Sequence, residues 1–152
     1  MRMDYQTTYN EAMAKLAETQ KCQDEIAGCN YELQQVNNVI NGTTNPQLYY
    51  QLKDQRVKLL CKIDERIKDR NKKLNEALSK ALDLVDDETD NRIFNSDSLG
   101  GQAMGAIYVY AEAHDIQCPY SAEVNSKFAK LMNKGINDLK QFLNQQRMFG
   151  NL

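Results

Sequence analysis

From Tyr5 to Ile40 the apolar and small residues Tyr5, Tyr9, Ala12, Leu16, Thr19, Cys22, Ile26, Cys29, Leu33, Val36 and Ile40 recur at intervals of 4, 3, 4, 3, 3, 4, 3, 4, 3 and 4. A strand alternates sides at every residue, so only an α-helix gathers these positions into one stripe. Alternating threes and fours are coiled-coil spacing, and the doubled three at Leu16, Thr19 and Cys22 has the form of a stammer that overwinds the seam locally. The stripe ends in Asn41-Gly42, a helix stop, and Asn45-Pro46 then supplies an N-cap followed by proline at a first helical position. A second helix is therefore expected from about Pro46 to about Val85, with a seam of Leu60, Ile63, Ile67, Arg70, Leu74, Ala77, Ala81 and Leu84.

Charge favours pairing of the two helices. Residues 1–41 carry three basic and six acidic groups, whereas Lys53 to Lys73 carry nine basic and four acidic. The second helix should stop before Asp86, because the acidic run "DLVDDETDNRIFNSD" opposes the helix dipole at a C-terminus. After Pro119 a final amphipathic helix is expected from Ser121 to about Met148, with Val124, Phe128, Leu131, Met132, Ile136, Leu139, Phe142 and Leu143 on its apolar face. The fold class expected is mainly α: a long antiparallel coiled-coil-like helical hairpin over 5–85, an acidic loop and Gly/Ala/Tyr connector over 86–120, and a C-terminal amphipathic helix over 121–148. The connector reads as a short helix or a strand, and the whole of 1–152 reads as one elongated helical domain.

Composition narrows the function classes. With 41% hydrophobic and 26% charged residues in 152, the chain has the make-up of a folded protein. A net charge of −2 gives it no bulk attraction for polyanions. No stretch of 18 apolar residues and no apolar leader core are present, so neither a membrane span nor a Sec signal is expected. The four cysteines include no CxxC pair, which argues against a zinc finger and a disulfide-built fold. These readings point to the cytoplasm, with leaderless export or incorporation into an assembly left open.

Catalytic and metal chemistries find little support. The single histidine, His114, cannot supply the paired Glu-x-x-His motifs of a di-iron bundle, and its position suits a helix end. Cys22, Cys29 and Cys61 could line one seam of the hairpin, where buried thiols behave as small hydrophobes. Asp86, Glu88, Asp90, Asn91, Ile93 and Asp97 fall at positions 1, 3, 5, 6, 8 and 12 of a calcium-binding EF-hand loop. Asn replaces the turn glycine and Asp97 is short for the bidentate ligand, so calcium through Asp86, Glu88, Asp90 and Asp97 is only a weak alternative. No cofactor is implied.

Two stretches remain as candidate binding surfaces. In "SLGGQAMGAIYVYAEAHD", Gly100, Gly101 and Gly105 lack the preceding strand and the lysine of a phosphate loop, but they suit close helix packing. Gly101, Met104, Gly105, Tyr108 and Tyr110, with Phe128 and Phe142 of the last helix, are the expected partner-binding residues, since tyrosine and methionine favour interfaces. The strip Lys53, Arg56, Lys62, Arg66 and Arg70 is the basis of an alternative, a nucleic-acid-binding regulator. Interspersed aspartates and absent aromatics make nucleic acid a poor fit there. The expected function is a non-enzymatic helical interaction or assembly protein, with a protein partner, a homo-oligomer or both: a scaffold, a secretion-apparatus or phage-type assembly subunit, or a small chaperone.

Overall fold

A computed structural model describes residues Met3–Ile136, which fold into four α-helices with no strand among the described residues. They are α1 (Tyr5–Gly42), α2 (Pro46–Asp90), α3 (Leu99–Ala113) and α4 (Ala122–Asn133). All eleven positions of the α1 stripe are buried or half-buried. The break falls where the sequence puts it: Asn45 Oδ1 accepts from Gln47 N at 3.0 Å and Leu48 N at 3.3 Å, and Pro46 opens α2. The connector is helical. Ser98 caps α3 by accepting from Gly101 N, and its β-branched residues sit on a helix held by tertiary packing.

The chain divides into two compact units, one of residues 3–17 with 72–136 and one of residues 18–71. The boundary in α1 falls at the doubled three of its stripe, and the boundary in α2 falls between Arg70 and Leu74, where its burial widens from one side to several. The two long helices pack together in each unit, but α2 has different company in the two. In the first unit its residues Leu74, Ala77, Leu78, Ala81, Leu82, Leu84 and Val85 are all buried, which no single stripe could achieve. They meet Tyr5, Tyr9, Met13 and Leu16 of α1, Ala103, Met104, Ile107 and Ala111 of α3, and Val124, Phe128 and Leu131 of α4. Removing one of these leucines to alanine should cost on the order of 2–5 kcal/mol. In the second unit Cys29, Val36, Ile40 and Leu59 form a buried cluster, with Leu33, Tyr49, Leu52 and Ile63 packed around them, and Thr19, Cys22 and Ile26 are buried further along α1. Leu59 occupies the seam position that the sequence gives to Leu60, and Leu60 is exposed.

Helix α2 continues five residues past Val85 instead of stopping before Asp86. The acidic residues that should end it are neutralised by α4. Lys127 pairs with Asp83 at 2.9 Å, Lys130 with Asp86 at 3.1 Å, and Lys134 with both Asp86 and Asp90, the latter at 2.8 Å. As the numbers rise from Asp83 through Asp86 to Asp90, the paired lysines rise from Lys127 through Lys130 to Lys134, so α4 runs parallel to α2 and a row of cations lies along a row of anions. Polar contacts fix the start of α4: Asn75 accepts from Ser121 N at 2.9 Å and donates to Pro119 O at 3.2 Å.

Helix α4 ends at Asn133, inside the span expected for one continuous helix. Gly135 has φ +84°, Gly135 N donates to Met132 O, and Ile136 N donates to Leu131 O. This is a Schellman cap, with Ile136 folded back on the core beside Leu131. The same pattern closes α2 and α3 around left-handed Arg92 (φ 60°) and Asp115 (φ 50°), where Ile93 N donates to Glu88 O and Ile116 N to Ala111 O. Leu139, Phe142, Leu143 and Met148 lie outside the described residues.

The lysine row makes a pH prediction. Burial pushes the Asp86 carboxyl up, but Lys134 and Lys130 together hold it below its ordinary value of 3.8. A carboxylate whose pKa is lowered on folding stabilises the fold above that ordinary value, and the contribution is lost as pH falls through the lowered one. Denaturant unfolding followed by circular dichroism from about pH 5 to about pH 3 should therefore show a loss of stability that is smaller in Asp86→Asn than in the wild type.

Candidate functional site

The glycine-rich start of α3 is already filled from within the chain. Asn95 Oδ1 accepts from Asp97 N at 2.7 Å and from Ser98 N at 2.9 Å, turning the chain into the Ser98 cap. Glu88, 2% exposed near the end of α2, puts its carboxylate on the free amides of α3. It accepts from Gly100 N at 3.0 and 3.2 Å, and Ser98 Oγ lies 3.0 Å from it. An anion at a helix N-terminus is favoured by the unpaired N–H groups and the dipole, so the place a phosphate would take is held by Glu88.

Two of the glycines are explained by this packing. A Cβ on Gly100 would stand 2.2 Å from Glu88 Oε1, and one on Gly101 would stand 2.2 Å from the backbone oxygen of Asn95. Gly105 has nothing within 4 Å of its Cβ position. The glycines therefore serve the internal contact at 100 and 101, and only Gly105 borders open space.

The other expected anchors divide in the same way. Met104 and Phe128 are buried in the first unit's core, Phe128 stacking on Tyr120 with ring centroids 6.0 Å apart. They are packing residues, not surface anchors. Tyr108 and Tyr110 are half-buried on the same core; Tyr110 lies 4.7 Å from the His114 ring, and a hydrogen bond to Glu112, with burial, pushes the Tyr108 hydroxyl up. Phe142 lies outside the described residues. His114 is the exposed C-cap of α3, and Tyr120 is held well above the ordinary tyrosine value by burial and by Cys118.

The acidic set does not form a loop. Asp86, Glu88 and Asp90 are on α2, where Asp86 and Asp90 face lysines and Glu88 faces Gly100, while Asp97 lies in the α2–α3 connection. Among the described residues no group of three or more His, Cys, Asp or Glu side chains is placed to hold a metal ion. Nor do three thiols share a seam: Cys22 and Cys29 are buried but Cys61 is exposed. Cys61 sits on the outer side of α2, away from the Leu59 and Ile63 side that meets α1.

The basic strip is partly engaged. Arg66 pairs with Glu25 and Asp69, each at 3.4 Å, and Arg70 donates to Gln23 Oε1 at 3.0 Å. The Lys53 ammonium lies 5.2 Å from the centre of the Tyr49 ring, while Arg56 is half-buried and Lys62 exposed. Nearby, Lys58 and Lys68 pair with Asp54 and Asp64.

The clearest unexplained surface is one the sequence reasoning passed over. Tyr31, Val39, Leu48, Tyr50, Val57 and Leu60 all stand exposed in the second unit; in the first, Ile93 and Val109 do so. The signal was present in Tyr49-Tyr50 and Leu59-Leu60. Adjacent apolar pairs on a helix point about 100° apart, so one member of each cannot share the other's seam. No protein family, curated protein or solved structure matches this chain. No helix among the described residues is long and apolar enough to cross a membrane.

Substitution of the three glycines should separate internal packing from open surface. Gly101→Ala and Gly100→Ala should each lower the denaturation midpoint, since the new methyl meets backbone or a buried carboxylate. Gly105→Ala should leave stability unchanged or raise it by up to ~1 kcal/mol through helix propensity. Equal losses at all three positions in urea denaturation would contradict this assignment.

Proposed function

We propose that the chain is a non-enzymatic helical interaction or assembly protein whose two long helices form an antiparallel coiled-coil-like hairpin. The order of contacts in each unit supports the hairpin. In the first, Glu11 pairs with Lys80 and Lys15 with Glu76; in the second, Gln23 meets Arg70 and Glu25 meets Arg66. Numbers rise on one helix as they fall on the other.

The observation that carries the interaction reading is the concentration of exposed apolar side chains in the second unit. Six of the eight large exposed hydrophobics among the described residues lie between Tyr31 and Leu60. Isolated exposed apolar residues are ordinary, but six on a unit of only two helices give another chain apolar surface to cover. A scaffold, a secretion-apparatus or phage-type assembly subunit and a small chaperone all use helical faces in this way, as fold-level analogy. The basic strip supports a nucleic-acid role less well, because Arg66 is already engaged with carboxylates.

Site-specific photo-cross-linking in cells tests the reading. A photoreactive residue at Tyr31, Leu48 or Val57 should give discrete protein adducts, and one at exposed Asn125 of the first unit should not. Adducts to nucleic acid, or none above the Asn125 control, would overturn it.

A further inference from the structure

Within the second unit α2 carries two rows of residues, and α1 covers only one. Tyr49, Leu52, Leu59 and Ile63 join Cys29, Leu33, Val36 and Ile40 of α1 in one apolar cluster. The other row is Tyr50, Lys53, Val57, Leu60, Asp64 and Ile67, at intervals of 3, 4, 3, 4 and 3. That is again coiled-coil spacing, and it runs for about 26 Å at 1.5 Å per residue. Its apolar members are open to solvent, Tyr50 at 69%, Val57 at 57% and Leu60 at 49%, with Ile67 half-buried.

We propose that this row is the seam of an antiparallel dimer between two copies of this chain. The order of residues in the row commits it to that occupant. With α2 laid against α2 of a second copy about a two-fold axis between Lys58 and Leu59, Tyr50 meets Ile67 of the second copy, Lys53 meets its Asp64, and Val57 meets its Leu60. Every layer is apolar on apolar or cation on anion, and the symmetry repeats each layer once, as an isologous interface requires.

The alternatives are worse by the same test. Parallel pairing in register stacks Lys53 on Lys53 and Asp64 on Asp64, and like charges so placed repel. Sliding the antiparallel pair by one heptad sets Lys53 against Val57, or Asp64 against Leu60, leaving a charge facing an apolar side chain. Only one register satisfies all six positions. The present contacts of the two charges are local, half-buried Lys53 over the Tyr49 ring and exposed Asp64 with Lys68 at 3.2 Å, and surface contacts of this kind exchange at little cost.

This dimer rests on the interaction reading above, and a charge exchange in the full-length chain tests both. In sedimentation equilibrium the wild type should rise with concentration from 17.5 kDa towards twice that mass. Lys53→Asp and Asp64→Lys should each weaken self-association by about tenfold or more, because each creates two like-charge layers. An equimolar mixture of the two variants should associate as the wild type does, since each unlike pair restores cation on anion. The double variant should also dimerise, and circular dichroism should show equal helix content throughout. A wild type that stays monomeric, single variants that associate unchanged, or a mixture no tighter than its components would overturn the dimer. A monomeric wild type that still gives Val57 adducts with a different protein would leave the interaction reading standing; no adducts would remove both.

Discussion

A helix can be apolar on as many sides as it has neighbours, and the neighbours of α2 change along its length. From Leu74 to Val85 it is buried on nearly every side by α1, α3 and α4. Between Tyr49 and Ile63 the side that meets α1 is the one covered among the described residues, although apolar residues continue on a second side. The first arrangement closes a core and the second leaves one incomplete. The hydrophobic effect is indifferent to which chain supplies the cover, and this is the ground on which the proposed partner surface is placed in the second unit.

Polar chemistry holds the closed unit in register. The lysines of α4 pair with the aspartates of α2, and the buried Glu88 ties the end of α2 to the start of α3 through Gly100 and Ser98. A buried carboxylate is tolerable only when it is well paired, and here α3 offers free amides at the positive end of its dipole. The glycine-rich stretch is therefore shaped by an internal anion. Its tyrosines Tyr108 and Tyr110 are half-buried and pack on the core.

What could be read in the sequence was local or periodic. The eleven-residue stripe of α1, the break at Gly42 to Pro46 and the helical face of Val124, Phe128 and Leu131 all follow from spacing and cap chemistry. The end of α2 did not, because what sustains it is contact with α4 lysines more than forty residues away. Arg92 and Asp115 carry no sequence sign of capping, since the left-handed position usually shows as glycine, and Gly135 lies inside an apolar period that continues on both sides of it. Leu59 and Leu60 both lie on apolar rows of α2, and spacing alone does not say which row meets α1. Met104 and Phe128 resembled interface residues by type, and only their neighbours reveal them as core.

The central claim is that α2 is complete in one part of its length and awaits a partner in the other. Amide hydrogen exchange, read along α2 at low and at high concentration of the full-length chain, tests this most directly, since protection reports local opening. The account predicts that residues 46–71 exchange faster than 72–90 in dilute solution and gain protection as concentration rises, while 72–90 do not change. Equal protection along the whole helix at every concentration would contradict it.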